Sequence, residues 1–400
     1  MPPMRFRPVS SLPLLLRTGS RVATWGLAGL VVLALLLVGL PSTAQAAPSG
    51  TCRSTPFRTN IGNRVVYRIP AMVVTNRGTV LAFAERRRST SPAADTGDNE
   101  VVVARSTDRG CHWSAPRVIA DQGRATVGNP VPVVDSTTGT VLLFTVARAA
   151  GSTTARGLHL QRSTDDGRTF TRYSRARLDL TKVRGFHGGL TGPGHGIQLR
   201  SGKSPHRGRL VVPMGYKLGT RYGAYGLVSD DHGRTWKVGY DTRTDGRIEG
   251  TVAELPSGRL WVSYRNRNVK AAVGTGRVGA FSTDGGSSLR GPLKRSGLPV
   301  VSVQGSSLGL RGRYGGTLLF TAPIGKDPSR RQGMGIFASK SSGVGTRWGR
   351  PYVVAPTSQP AAYSDLAQLT DTTIGILYET GNRTWKERID FRSLRIADVV

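Results

Sequence analysis

The sequence predicts an all-β chain whose main body is a six-bladed β-propeller. An octet reading S-x-D-x-G-x-x-W recurs at Ser106 to Trp113, Ser163 to Phe170 and Ser229 to Trp236, followed by two worn copies, Ser282 to Leu289 and Ser339 to Trp348. The starts lie 57, 66, 53 and 57 residues apart. Between them, pairs of β-rich runs around tight turns recur six times, with turns near residues 78, 139, 202, 258, 315 and 372. The chain holds 52 glycines, and beyond its N-terminal segment it lacks long helical periodicity. A fixed period in this range marks one supersecondary unit repeated along the chain. Six units of four strands, arranged radially, make the propeller.

Residues 1–46 stand apart. Arg5, Arg7, Arg17 and Arg21 form a basic n-region, Trp25 to Leu40 is an unbroken run of apolar residues and glycine, and Ala44-Gln45-Ala46 offers a small-x-small cleavage site. This pattern predicts a secretory signal peptide cut before Ala47, and a secreted protein. The apolar run is short for a membrane span and no second run of spanning length follows, so no stable membrane anchor is expected. Residues 47–400 then form one catalytic domain, expected to be a monomer.

The hairpins follow in order. Met72–Val74 and Val80–Phe83 flank Asn76-Arg77-Gly78, and Val131–Val134 and Val141–Val146 flank Thr138-Gly139. Gly196–Leu199 and Leu210–Pro213 flank a longer Ser201-Gly202 loop, and Val252–Leu255 and Leu260–Tyr264 flank Pro256-Ser257-Gly258. A fifth pair ends in Gly316–Thr321, and the sixth joins Leu366–Leu369 to Ile374–Tyr378. Each is a β-rich run, a turn and a second β-rich run. The last unit needs one more strand to close the ring, and the segment from Cys52 to Val66 can supply it. In the octets, Asp bonds nearby amides and Gly accepts positive φ, which shapes a tight turn. The terminal aromatic pins that turn to the unit beneath it.

Removing the four arginines of residues 1–46 takes the formal net charge from +32 to +28. Such a surface favours anionic partners. The basic residues are scattered and no nucleic-acid motif accompanies them, so nucleic acid is not an expected partner. Cys52 and Cys111 are the two cysteines, and an exported chain can join them as a disulfide linking the mature N-terminus to the first octet. Neither has the neighbours of a catalytic thiolate. The six histidines show no ligand spacing, so neither a metal nor a cofactor is expected.

Polar residues stand where strands should be apolar. Arg68 lies in Tyr67-Arg68-Ile69-Pro70, Arg265 ends the fourth hairpin, and Arg330, or its neighbour Arg331, follows the fifth. Equivalent strand ends of a propeller converge on its axis, so three arginines would face one point, and the guanidinium fork suits a carboxylate. Glu249 precedes the Thr251–Leu255 run, Tyr363 precedes Ser364-Asp365-Leu366, and Asp95 lies in a loop longer than a hairpin needs. Long loops at one rim are natural sites for catalytic groups.

On these motifs the chain resembles the bacterial exo-α-sialidases. Tyr67 to Pro70 is similar to that family's [FY]-R-I-P opening, and the octets are similar to its Asp boxes. Phe83-Ala84-Glu85-Arg86-Arg87 with Asp95-Thr96-Gly97-Asp98 resembles F-A-E-x-R…D-x-G. Thr191 to Gly196 resembles its G-P-G-x-G loop. Glu249 to Glu254 resembles E-x-x-V-x-E, and Tyr363 to Leu366 with Leu377-Tyr378-Glu379 resembles Y-S-x-L…L-Y-E. The match runs from about Val65 to Glu379 in order. The resemblance implies the sialidase propeller and an exo-acting hydrolase of terminal α-sialosides on glycoproteins, glycolipids and oligosaccharides. It implies that Arg68, Arg265 and Arg330 clamp the substrate carboxylate and that Glu379 orients Arg68. It makes Asp95 the acid and then base, and Tyr363 a nucleophile activated by Glu249. Arg87 and Asn129 would line the pocket near the sugar's hydroxyl and acyl groups.

The residue types suit that chemistry. Most glycosidases use two carboxylates, and sialidases use a tyrosine instead. Sialic acid carries a carboxylate on its anomeric carbon, which would repel a carboxylate nucleophile; a phenol approaches neutral. Retention through a glycosyl-tyrosine is the expected outcome. Transfer to another sugar, or preference for the deaminated sugar KDN, would use the same site. A non-catalytic glycan-binding propeller is the competing class. It predicts loss of Asp95, Glu249 or Tyr363, and all three are present.

Overall fold

The computed structural model describes residues 51–400 apart from 61, 89–94, 150–151, 153–154, 173, 180–188, 219–220, 243–245, 268–272, 328 and 341–346. The predicted signal peptide lies outside the described residues. The described chain is nearly all β, built as successive antiparallel meanders.

All six predicted hairpins form. Val65–Val74 pairs with Val80–Arg88, and Thr126–Asp135 with Thr140–Arg148. Ile197–Gln198 pairs with Leu210–Leu218, and Arg247–Glu254 with Leu260–Asn266. Ser306–Gly309 pairs with Thr317–Ala322. The sixth begins in Tyr352–Gln368, a long strand whose first half pairs with Gln332–Lys340 and whose second half pairs with Thr373–Thr380. One strand thus ends one meander and starts the next. Continuous hydrogen bonding joins the meanders into four sheets of 8, 6, 4 and 7 strands.

Arg53–Arg58, within the expected closing segment, pairs antiparallel with the last strand, Arg388–Arg395. Beside it Cys52 and Cys111 form a disulfide with Cα atoms 5.2 Å apart. The first strand of every hairpin contributes to one common cavity of about 150 Å³, through Val73, Val134, Ile197, Ala253, Leu308 and Ala367. Six strands around one cavity place these strands innermost.

The octets fold alike. Ser106, Ser163, Ser229 and Ser282 each donate from Oγ to the octet Asp at 2.7–2.8 Å. Each accepts from the amide of the glycine four residues on, at 2.8–2.9 Å. The residue before that glycine has positive φ: Arg109 at 62°, Asp166 at 66°, His232 at 59° and Gly285 at 63°. The worn fourth copy therefore carries glycine where the turn most strains a side chain. Trp113 packs edge-to-face against Phe391, Phe170 against Phe83 and Trp236 against Phe144. Most of the fifth octet lies outside the described residues.

Candidate active site

Three innermost strands bend at equivalent points. The ladder slips between Arg68 and Ala71, between Gly128 and Val131, and between Ile248 and Gly250. At each slip one residue is left-handed: Ile69 at φ 61°, Asn129 at 51° and Glu249 at 52°. A bulge adds a residue and re-aims its neighbours, which is how strand residues can serve a site rather than the core. In sequence each of the three is followed by proline or glycine.

The Tyr363 hydroxyl bonds to Glu249 Oε1, and Arg265 Nη1 lies 3.0 Å from Glu249 Oε2. Burial pushes the Tyr363 phenol well above its usual pKa, and the negative Glu249 adds to this. Arg265, Arg331 and Arg68 pull the other way without cancelling it, so the phenol is protonated. The Glu249 carboxylate raises the pKa of Arg265 in turn.

Glu379, fully buried, organises the neighbouring wall. Its Oε1 accepts from Arg68 Nε at 2.7 Å and from the Ile69 amide at 2.8 Å. Its Oε2 accepts from the Tyr363 amide at 3.2 Å. One carboxylate thus fixes a cation and the backbone carrying the tyrosine. Arg87, also buried, bonds Glu85 Oε2 through Nε at 2.8 Å and Asp95 Oδ1 through Nη1 at 3.0 Å. Glu85 Oε1 accepts the Asn129 amide at 2.7 Å. Asp95 stands at the rim with its side chain 76% exposed. What burial it has raises its pKa, but Arg87, Arg68 and Arg148 outweigh this and hold its carboxyl below the usual range.

Of the pair Arg330–Arg331, it is Arg331 that faces Tyr363. Arg330 is 68% exposed and turns outward to Asp327 Oδ2 at 3.2 Å. Arg331 lies with its guanidinium carbon 5.5 Å from the Tyr363 ring centre. Arg330 closes a turn through its amide to Asp327 O at 3.1 Å, whereas Arg331 immediately precedes the strand Gln332–Lys340.

Sequence reasoning missed three groups here. Trp385 packs its ring against Arg68 at 4.2 Å, Arg331 at 5.1 Å and the Lys386 ammonium at 5.1 Å. The only sequence signal is its place six residues beyond Glu379. Arg277 lies buried behind Glu249. His195 Nδ1 pairs with buried Asp365 Oδ1 at 2.7 Å, and Asp365 Oδ2 accepts the Met72 amide at 2.7 Å. That pair ties the Gly-Pro-Gly-His-Gly loop to two innermost strands.

The sequence matches the BNR repeat-like domain over residues 78–376. It is 30% identical over 353 residues to an exo-alpha-sialidase of Arthroderma benhamiae, spanning 78% of each chain. The chain belongs to the sialidase family. A sialidase of Micromonospora viridifaciens is 33% identical over 339 residues; the match covers 79% of this chain and half of that protein's length. Among solved structures, the Hadza microbial sialidase Hz136 superposes with a TM-score of 0.72 at 24% identity, over 87% of this chain and 69% of that one. A leech intramolecular trans-sialidase bound to 2,7-anhydro-Neu5Ac also gives 0.72, at 18% identity, over 88% of this chain and 71% of that one. These likenesses establish the fold, that of the sialidase β-propellers.

Proposed function

We propose that the chain is a secreted exo-α-sialidase that hydrolyses terminal sialic acids from glycoconjugates with retention, through a glycosyl-tyrosine intermediate and on a propeller of six blades. The observation that carries this is a buried phenol bonded to a carboxylate and ringed by Arg68, Arg265 and Arg331. A structural tyrosine needs no such set of cations. A nucleophile that must become anionic beside a substrate carboxylate does.

In this reading the substrate carboxylate sits among the three guanidiniums. Tyr363 Oη attacks the anomeric carbon while its proton passes to Glu249 Oε1, and the glycosidic C–O bond breaks. Asp95 gives its proton to the departing oxygen. Water then attacks the glycosyl-tyrosine, losing a proton to Asp95, and Tyr363 leaves as its oxygen recovers the proton from Glu249. Asp95 is held ionised by cations that include Arg68. A bound carboxylate offsets their charge, and the bound sugar excludes water from the rim. Both changes favour protonated Asp95. Substrate binding thus arms its own acid.

The test is release of sialic acid from 3′-sialyllactose by wild type, Tyr363→Phe and Asp95→Ala, with the first-formed anomer read by NMR. Wild-type turnover with α-anomer first, and losses of about a hundredfold or more in both variants, supports the reading. A folded wild type without turnover on this substrate or on the KDN glycoside defeats it. Formation of 2,7-anhydro product or sialylated acceptor would move the assignment to transfer by the same site.

A further inference from the structure

Arg277 opens the strand Arg277–Ser282 and lies directly opposite Arg265 in the register. Like charges facing each other across a ladder are unfavourable. Arg277 is moreover fully buried. Its donors go to neutral acceptors: Nε to Ser263 Oγ at 3.3 Å, Nη2 to Ser263 O at 2.9 Å, and Nη1 to Glu249 O at 3.1 Å and Val303 O at 3.3 Å. Its flat face lies over Phe320, 5.3 Å from the ring centre. Among the described residues it makes no ion pair. Burial draws its pKa down to about 9, which leaves it cationic at neutral pH.

A buried charge without a counter-ion in contact is costly and needs a reason. The anion whose field it feels is Glu249. Arg277 also grips Glu249 where the backbone is strained, bonding the carbonyl of a residue at φ 52°. Arg265 holds the same residue's carboxylate from the next strand. Glu249 is thus fixed at both ends, with its free oxygen toward Tyr363.

We propose that Arg277 is a positioning residue for the reaction: it locks Glu249 in its left-handed bulge and supplies the buried positive charge that keeps Glu249 ionised beside Tyr363. This rests on the sialidase reading above. The other titratable or charged groups facing the pair are Arg265, Tyr363 and the buried Tyr264 hydroxyl. The Arg277 guanidinium bonds neither the Tyr363 hydroxyl nor a guanidinium of the clamp, so it acts through Glu249.

The experiment is the pH profile of kcat and KM for 4-methylumbelliferyl α-sialoside hydrolysis by wild type, Arg277→Met and Arg277→Lys, with thermal melts beside them. Arg277→Met should lower kcat at least about tenfold with KM within about twofold. Its acidic limb in kcat/KM should move up by about one pH unit, because a neutral neighbour no longer favours the anionic base. Arg277→Lys keeps the charge without the fork, so it should return the limb toward wild type while kcat stays reduced. A folded Arg277→Met whose limb stays put, with equal loss at every pH, overturns the proposal and leaves Arg277 a packing residue. If Arg277→Met does not fold, Ser263→Ala removes one anchor of the guanidinium, and unchanged kcat there overturns it as well. A wild type without turnover removes the reaction and this role together; an active wild type with an unmoved limb removes the role alone.

Discussion

Asp95 is the outlier among the residues assigned to chemistry. Its side chain is 76% exposed and tethered to Arg87, whereas Tyr363 is buried. An exposed carboxyl can serve as an acid only when substrate covers it, so its importance should follow how badly the leaving group needs a proton. A sugar alkoxide needs one and umbelliferone, an acidic phenol, scarcely does. Asp95→Asn should therefore lose about a hundredfold to ten-thousandfold on 3′-sialyllactose and about tenfold or less on the umbelliferyl sialoside. Paired kcat/KM values check this, and equal losses on both would show that Asp95 does not deliver the proton. The same scale explains the Arg330–Arg331 exchange. Both residues are arginines beside a turn, and only the point where the following strand begins, at Gln332, decides which one faces Tyr363.

The octets are legible because their chemistry is local: a serine, an aspartate and a glycine within five residues make the same bonds in the first four copies. Even the worn copy is readable once Gly285 is seen in the left-handed slot. The hairpins are legible for the same reason. Trp385 and the His195–Asp365 pair are not, because their partners come from other units, Asp365 lying 170 residues from His195; Arg277 meets Glu249 inside one sheet, but across an intervening strand and 28 residues away. Arg68 and Glu379 became readable only through family motifs, since 311 residues separate them. The octets also set an acid limit on the fold. Slight burial raises the Asp165 pKa, but bonds from the Thr169 hydroxyl and amide and from Ser163 outweigh it and hold it at about 2; Asp108, Asp231 and Asp284 are lowered likewise. Unfolded aspartates titrate near 3.9. Their contribution is thus fully present above that value and is lost as pH falls toward about 2. Thermal melts should drop steeply on acidification through this window, and Asp165→Asn should both lower the melt at neutral pH and flatten the drop. A variant with the wild-type acid slope would free the octets of that role.

At the scale of the whole molecule the site straddles the closure of the ring. Arg68 belongs to the first hairpin, whereas Tyr363 and Glu379 belong to the last, so the clamp exists only while the two ends are joined. Several contacts join them. Arg53–Arg58 pairs with Arg388–Arg395, and the Ser393 amide donates to Cys52 O at 2.9 Å. Trp113 of the first octet packs edge-to-face against Phe391 and donates from Nε1 to Ser54 Oγ at 2.9 Å. Gly110 allows this closeness, since a Cβ there would lie 2.0 Å from the Phe391 ring. The Cys52–Cys111 disulfide spans 59 residues, for which chain-entropy arguments give about 4 kcal/mol. It fastens the closing strand to the first octet but touches no residue of the clamp. Replacing both cysteines by serine should therefore cost about 2–4 kcal/mol in urea unfolding while kcat and KM at low temperature stay near wild type. Reductant should lower the wild-type midpoint toward that of the double variant and leave the variant's own midpoint unmoved. An unchanged midpoint would mean that strand pairing and the Trp113–Phe391 contact close the ring unaided, and a collapse of kcat without loss of fold would mean that the seam, not only the bulges, sets the geometry of the clamp.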